Sequence, residues 1–249
     1  MSGGIDWMSY KVAILVSGIA RDKSNFNMKR LKSHFGNDLF CATWFGQQNQ
    51  FSNQYPCKFY PEPEITYNSW THDNCVCEHY KYHAYRKWFK EGRYPSGHKL
   101  EHATKQILGH AYQLQDLPEE YDMIVRARWD TFTSDRVDFT KYLEESFHKN
   151  IAIGFAIRGG RHSDVHTFNE YECVKVYEDT PQTYSRDWAW WLNDNLIIHP
   201  RKLFDCEKAF RLHNEKKLLP AEYGWYQMLS VDDNHKGVYG GAAIDRFVR

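Results

Sequence analysis

A chain of 249 residues has room for one large domain or two small ones. Apolar residues at 42% and charged residues at 26% are a globular balance that excludes long disorder, and 32 Lys and Arg against 32 Asp and Glu leave no general trap for polyanions. No apolar run comes near the roughly 18 residues a membrane span needs, and no basic segment leads into an apolar one as in a secretory signal. The expectation is a cytoplasmic protein without a membrane partner.

In chain order, residues 1–10 carry Gly3, Gly4 and a second methionine and read as a flexible leader. Lys11 to Val16 is a short apolar run rich in β-branched residues, suited to a strand buried on both faces. It breaks at Ser17-Gly18. Ser24 then suits a helix start, Met28, Leu31 and Phe35 share one helical face, and Gly36 suits the stop. Asp38 to Trp44 and Cys57 to Tyr60 read as the next two strands, the second closed by Pro61 and Pro63. Residues 66–97 look like an insertion.

Beyond it, Leu100, Ala103, Ile107, Ala111 and Leu114 recur at helical spacing. Tyr121 to Val125 is a buried strand running into Arg126-Ala-Arg-Trp-Asp130. Asn150 to Phe155 and Asn195 to His199 are further strands, with a helix from about Pro200 to His213 and a last one opened by Pro220. Strand and helix alternate through the first half. The pattern predicts an α/β domain over 11–249 with a mostly parallel sheet flanked by helices.

The six cysteines show no disulfide framework, which suits a reducing compartment. Cys75 and Cys77 stand near His72, Asp73, Glu78, His79 and His83. Their C-x-C spacing and the lack of a second ligand pair favour ordinary thiols over zinc.

Four segments carry candidate chemistry. Ser17-Gly18-Ile-Ala-Arg21 sits where the first strand ends, and ligands of open α/β sheets gather at such ends. Gly18 allows close backbone approach, and Arg21 can pair with a phosphate or carboxylate. The segment is not a G-x-G-x-x-G fingerprint, and a tight turn with a solvated arginine is the alternative. In Arg126-x-Arg128-x-Asp130, continuation of the strand would put all three charges on one face. A nucleoside diphosphate, with or without a divalent cation, would satisfy them; so would a mutual Arg–Asp ion pair closing the sheet edge.

The third segment, Asp187 to Asp194, places Trp188, Trp190 and Trp191 beside Asn193 and Asp194. That is a platform type suited to saccharides, or a piece of core. The fourth places Glu222 in the first turn of the last helix, either with the helix dipole or pointed into a cleft.

These motifs together, Ser17-Gly18-x-x-Arg21, Asp38-Leu39-Phe40 with Trp44, Tyr121-Asp122 through Arg126-x-Arg128-x-Asp130, and Asn193-Asp194, resemble small GT-A-type glycosyltransferases of bacterial polysaccharide loci and phage genomes. The resemblance spans most of 11–229 outside the insertion. It implies a GT-A-like, Rossmann-like sheet and transfer of a sugar from a nucleotide-diphosphate sugar, of the UDP-sugar type, to an acceptor hydroxyl. It further implies that Ser17, Gly18 and Arg21 cradle the nucleotide and that Asp130 stands at the metal-binding D-x-D position, facing the sugar diphosphate. Arg128 replaces the first Asp of that motif. An arginine can neutralise a diphosphate in place of an ion, so dependence on Mn²⁺ or Mg²⁺ is not implied with it.

Arg21, Arg126 and Arg128 are then the expected clamp on the leaving diphosphate, and Asp194 or Glu222 the base. In the insertion, Arg86, Lys87 and Lys90 stand among Tyr80, Tyr82, Tyr85, Trp88, Phe89 and Tyr94. Cations interleaved with rings suit a phosphate backbone with exposed bases, hence hydroxymethylated phage DNA as acceptor; a saccharide at the tryptophans is the other acceptor. An amphipathic helix with a solvated basic face explains the same segment. A non-catalytic nucleic-acid or nucleotide-binding protein is the competing class.

Overall fold

The computed structural model describes residues 10–18, 24–47, 54–65, 100–133, 135, 137–155, 196–217, 224–225, 228–229, 235–238 and 244–247. β1 (Val12–Ser17) is buried along its whole length, as its run of β-branched and aliphatic residues requires. α1 (Ser24–Phe35) follows, laying Met28, Leu31 and Phe35 on the core before Gly36 ends it. β2 (Leu39–Trp44) and β3 (Cys57–Tyr60) extend the sheet in parallel. α2 (Leu100–Asp116) then carries the chain back over the sheet to β4 (Met123–Arg128), which pairs in parallel with the other side of β1.

β5 (Thr131–Thr133), α3 (Thr140–Lys149), β6 (Ala152–Phe155), β7 (Leu196–Pro200) and α4 (Cys206–Asn214) complete the main body, with β8 (His235–Val238) and β9 (Ile244–Phe247) near the end of the chain. Among the described residues seven strands form one sheet in the order β3-β2-β1-β4-β7-β6-β8. All run parallel except β7, which is antiparallel to both β4 and β6. β5 and β9 pair separately, antiparallel. The result is a Rossmann-like, mostly parallel mixed sheet flanked by helices.

α1 and α3 cover one face, around Ile14, Val16, Met123, Val125 and Phe155. α2, α4 and Trp225 cover the other, around Ala13, Leu15, Ile124 and Ile197. Strand order runs outward from β1 to β3 and then restarts at β4 on β1's other side. The carboxyl ends of β1 and β4 are therefore the topological switch point, where a ligand crevice opens in such sheets.

Two expectations are corrected. The helix from Pro200 to His213 is broken: a 3₁₀ turn at Arg201–Leu203 ends in extended Phe204, and Asp205, accepting from the Lys208 amide at 2.8 Å, starts α4 afresh. Asn150 does not open β6; with φ of 52° it closes α3, a left-handed cap that asparagine tolerates. The insertion at 66–97 and residues 1–9 of the 1–10 leader lie outside the described residues; Tyr10, its last residue, is buried against the core.

Candidate functional site

At the switch point Ser17 of β1 stands beside Arg128 of β4 in register. Gly18 follows with φ of +111°, a conformation that a side chain would strain. Ser17 points toward α2, where Gly109 lets the helix settle onto the sheet. A Cβ at Gly109 would meet the Trp44 ring at 3.3 Å and Ser17 Cβ at 4.0 Å. The Ser17 hydroxyl is buried and has no hydrogen-bond partner among the described residues.

Arg126 lies one period-two step below Arg128 on the same face. It is fully buried, donates from Nη2 to Gln106 Oε1 at 2.9 Å and lies over the Trp225 ring at 4.5 Å. Burying a guanidinium there is costly unless its charge is met. Amide and indole ring meet part of it, the ring through its electron-rich face.

Arg128 and Asp130 form a two-pronged ion pair: Nε donates to Oδ1 and Nη2 to Oδ2, both at 2.9 Å. The Asp130 side chain is only 4% exposed and that of Arg128 25%, so the arginine is the more accessible of the pair. The expectation of three charges along one continuing strand is corrected here. β4 ends at Arg128, and Trp129-Asp130 form a turn fixed by the Arg128 amide donating to Thr131 Oγ1 at 3.1 Å. Trp129 goes to the opposite face, and Asn27 Nδ2 holds its carbonyl at 2.8 Å. Asp130 reaches Arg128 through this turn, not by strand alternation.

A pair of histidines that sequence reasoning missed lies in the same face of the core. His110 of α2 and His199 of β7 are fully buried, with Nε2 atoms 3.1 Å apart and Phe204 and Trp225 against their rings. His199 Nδ1 donates to the Pro200 carbonyl at 2.9 Å, which leaves its Nε2 to accept from His110. Burial pushes both below the ordinary imidazole range, His199 down to about 4, and the Arg126 charge adds to the effect on His110. Both are neutral near pH 7. The available signal was a histidine on the apolar stripe of α2, which by itself names no partner.

The two oxygens of Asp130 are both occupied by Arg128, so the expected cation ligand fits a metal poorly. Among the described residues no group of three His, Cys, Asp or Glu is placed to hold one. A cavity of about 580 Å³ lies at the opposite end of the strands, by the amino end of β4, lined by Asp122, Arg201 and Lys202 among others. Arg201 is committed there to the carbonyls of Leu114, Leu117 and Pro118 at the end of α2, a capping role. Arg21, Arg86, Lys87, Lys90, Trp188, Trp190, Trp191, Asp194, Glu222 and the Cys75–Cys77 cluster lie outside the described residues. Of the expected set, the structure brings together Ser17, Gly18, Arg126, Arg128 and Asp130. Gln106, Trp225 and Thr131 join them as supports.

No protein-family model and no curated protein matches the sequence. Among solved structures the chain is similar to a 4-diphosphocytidyl-2C-methyl-D-erythritol synthase from Anaerococcus prevotii. The TM-score is 0.50 at 9% identity, over 92% of this chain and 86% of that one. Mouse xyloside xylosyltransferase 1, in its apo form, overlaps with a TM-score of 0.36 at 8% identity, over 92% and 84% of the two chains. The likeness to the synthase is one of fold. Among the described residues no helix is long and apolar enough to cross a membrane.

Proposed function

We propose that the protein is a glycosyltransferase that moves a sugar from a nucleoside diphosphate sugar, of the UDP-sugar type, to an acceptor hydroxyl. The observation that supports this reading best is the pairing of Ser17-Gly18 with Arg128 across the switch point, with Arg126 on the same face beneath it. A sharp turn with a spare hydroxyl beside a partly exposed guanidinium suits a diphosphate. The fold shared with an enzyme named for a diphosphocytidyl product agrees with that ligand class.

In the proposed reaction the acceptor oxygen bonds to the anomeric carbon and gives its proton to a carboxylate, Asp194 or Glu222. The bond from that carbon to the diphosphate breaks, and its electron pair leaves on the phosphate oxygen. Arg128, with Arg21, meets the charge that builds there; Arg126 lends its field from below. Trp188, Trp190 and Trp191 would carry a saccharide acceptor. Arg86, Lys87 and Lys90 would instead carry hydroxymethylated DNA.

The test incubates the full chain with a panel of nucleotide sugars and follows free nucleoside diphosphate by chromatography, with and without acceptor saccharides or hydroxymethylated DNA. Release that rises with one acceptor supports the reading and names the acceptor. Release of pyrophosphate instead, from nucleoside triphosphate, would make the protein a nucleotidyltransferase. DNA binding without turnover of any nucleotide would establish the non-catalytic class.

A further inference from the structure

We infer that this site neutralises the diphosphate with guanidinium groups and not with a divalent cation, and that Asp130 is a positioning residue for Arg128. The inference rests on the nucleotide-sugar reading above and deepens it. Four observations carry it.

Both oxygens of Asp130 already accept N–H bonds from Arg128, each at 2.9 Å. A carboxylate in that state has its charge compensated and one lone pair on each oxygen used, so a cation would have to share those oxygens with a guanidinium that repels it. Exposure runs the wrong way for a metal ligand: the Asp130 side chain is only 4% exposed, against 25% for that of Arg128. The turn that presents the pair is rigidly held. Thr131 Oγ1 takes the Arg128 amide, Asn27 takes the Trp129 carbonyl, and the Trp129 ring is buried on the opposite face. Finally, a hard divalent cation takes several oxygen ligands, and among the described residues no acidic group stands with Asp130 to supply them.

The arrangement has a chemical reason. A guanidinium does not deprotonate in proteins, so it stabilises the departing diphosphate as an anion and gives it no proton. Asp130 fixes the plane of the Arg128 fork through its two bonds. Arg126, on the same face, adds a second fixed positive charge.

The experiment is calorimetric titration of the full chain with UDP, GDP, ADP and CDP, once in EDTA and once in MnCl₂. The expected result is that at least one diphosphate binds with the same affinity, within about twofold, in both. Binding that weakens about tenfold or more in EDTA overturns the inference and leaves the nucleotide-sugar reading standing. Absence of binding in both buffers removes that reading and this inference together.

Two variants, each checked by thermal melting, sharpen the result. Arg128→Ala is expected to bind on the order of tenfold or more weakly in EDTA, the scale of a charge-assisted hydrogen bond. A folded Arg128→Ala that binds as wild type in EDTA overturns the inference. Asp130→Asn is expected to bind a few-fold more weakly, by the same factor in EDTA and MnCl₂. If the substitution instead abolishes a manganese-dependent gain seen in wild type, Asp130 is a metal ligand and the positioning role is wrong.

Discussion

The two faces of the sheet solve different problems. Under α1 and α3 the core is aliphatic and aromatic, and its buried Asn27 and Ser146 are neutral and bonded to the carbonyls of Trp129 and Ile151. Under α2, the same sheet buries Arg126, His110, His199 and Gln113. Charge and imidazole in a core cost free energy that aliphatic residues would not. Concentrating them on one face, next to Ser17 and Arg128, leaves the other face free to supply stability. Buried charge and imidazole are thus kept to one side of the layer.

That division can be broken most forcefully from the apolar side. Phe155→Ala should cost about 3–5 kcal/mol, the range for emptying an aromatic site in a packed core. Denaturant melts measure it, and the folded fraction should still bind diphosphate as wild type does. A loss of affinity in folded protein would show that the faces are coupled.

The polar face should answer to acid. An imidazole whose folded pKa lies below its unfolded value near 6.5 takes up its proton on unfolding. Its contribution is therefore full above about pH 6.5 and is lost as the pH falls toward 4. For His199, held down to about 4, the loss is on the order of 3 kcal/mol across that window, and His110 acts in the same direction. Melts at stepped pH on wild type and on a His110→Phe, His199→Leu double variant should separate the histidine share from the carboxylates. An unchanged slope in the double variant would refute the assignment.

The smallest effect concerns the seam between helix and rim. Gln113 Nε2 bridges the carbonyls of Val16 and Phe40, each at 3.2 Å. Gln113→Met keeps the volume and removes the bridge, so about 1 kcal/mol should be lost. A cost several times larger would mean that Gln113 organises the Ser17 end of β1 beyond its two bonds.

Much of this fold was legible in sequence where local pattern and burial agree. β1, β2, β3 and α1 are short apolar runs or clean helical stripes closed by Gly36 and by prolines, and they appear within a residue or so of their expected bounds. α3 was not legible. Phe139 at its N-cap offers no capping side chain, and the Thr140 amide is taken instead by Asp138 Oδ1 at 3.1 Å, so the start signal stands one place early. β5 has only three residues, and its partner β9 lies more than a hundred residues onward. The Arg126, Arg128 and Asp130 cluster was legible as residue types but not as geometry, because period two fails once Trp129-Asp130 turn. His110 and His199 are 89 residues apart, and no local spacing joins them.

The parallel pairing of β1 with β4 also sets when the rim comes into being. At its amino end the pairing is pinned by the Lys11 amide donating to Asp122 Oδ2 at 3.1 Å and the Asp122 amide donating to the Lys11 carbonyl at 3.0 Å, across 111 residues. Closing a loop of that length costs about 4 kcal/mol in chain entropy before any contact is made. Ser17 and Arg128 belong to opposite sides of that closure. During synthesis the first three strands can collapse with α1 while the rim is still half missing, and such long-range pairing is slow. A nascent chain released before β4 emerges therefore has a partial core and lacks the Arg128 side of the proposed diphosphate site. Ligand that needs both sides of the rim can act during refolding only after this pairing is complete, trapping the finished fold without guiding the chain toward it.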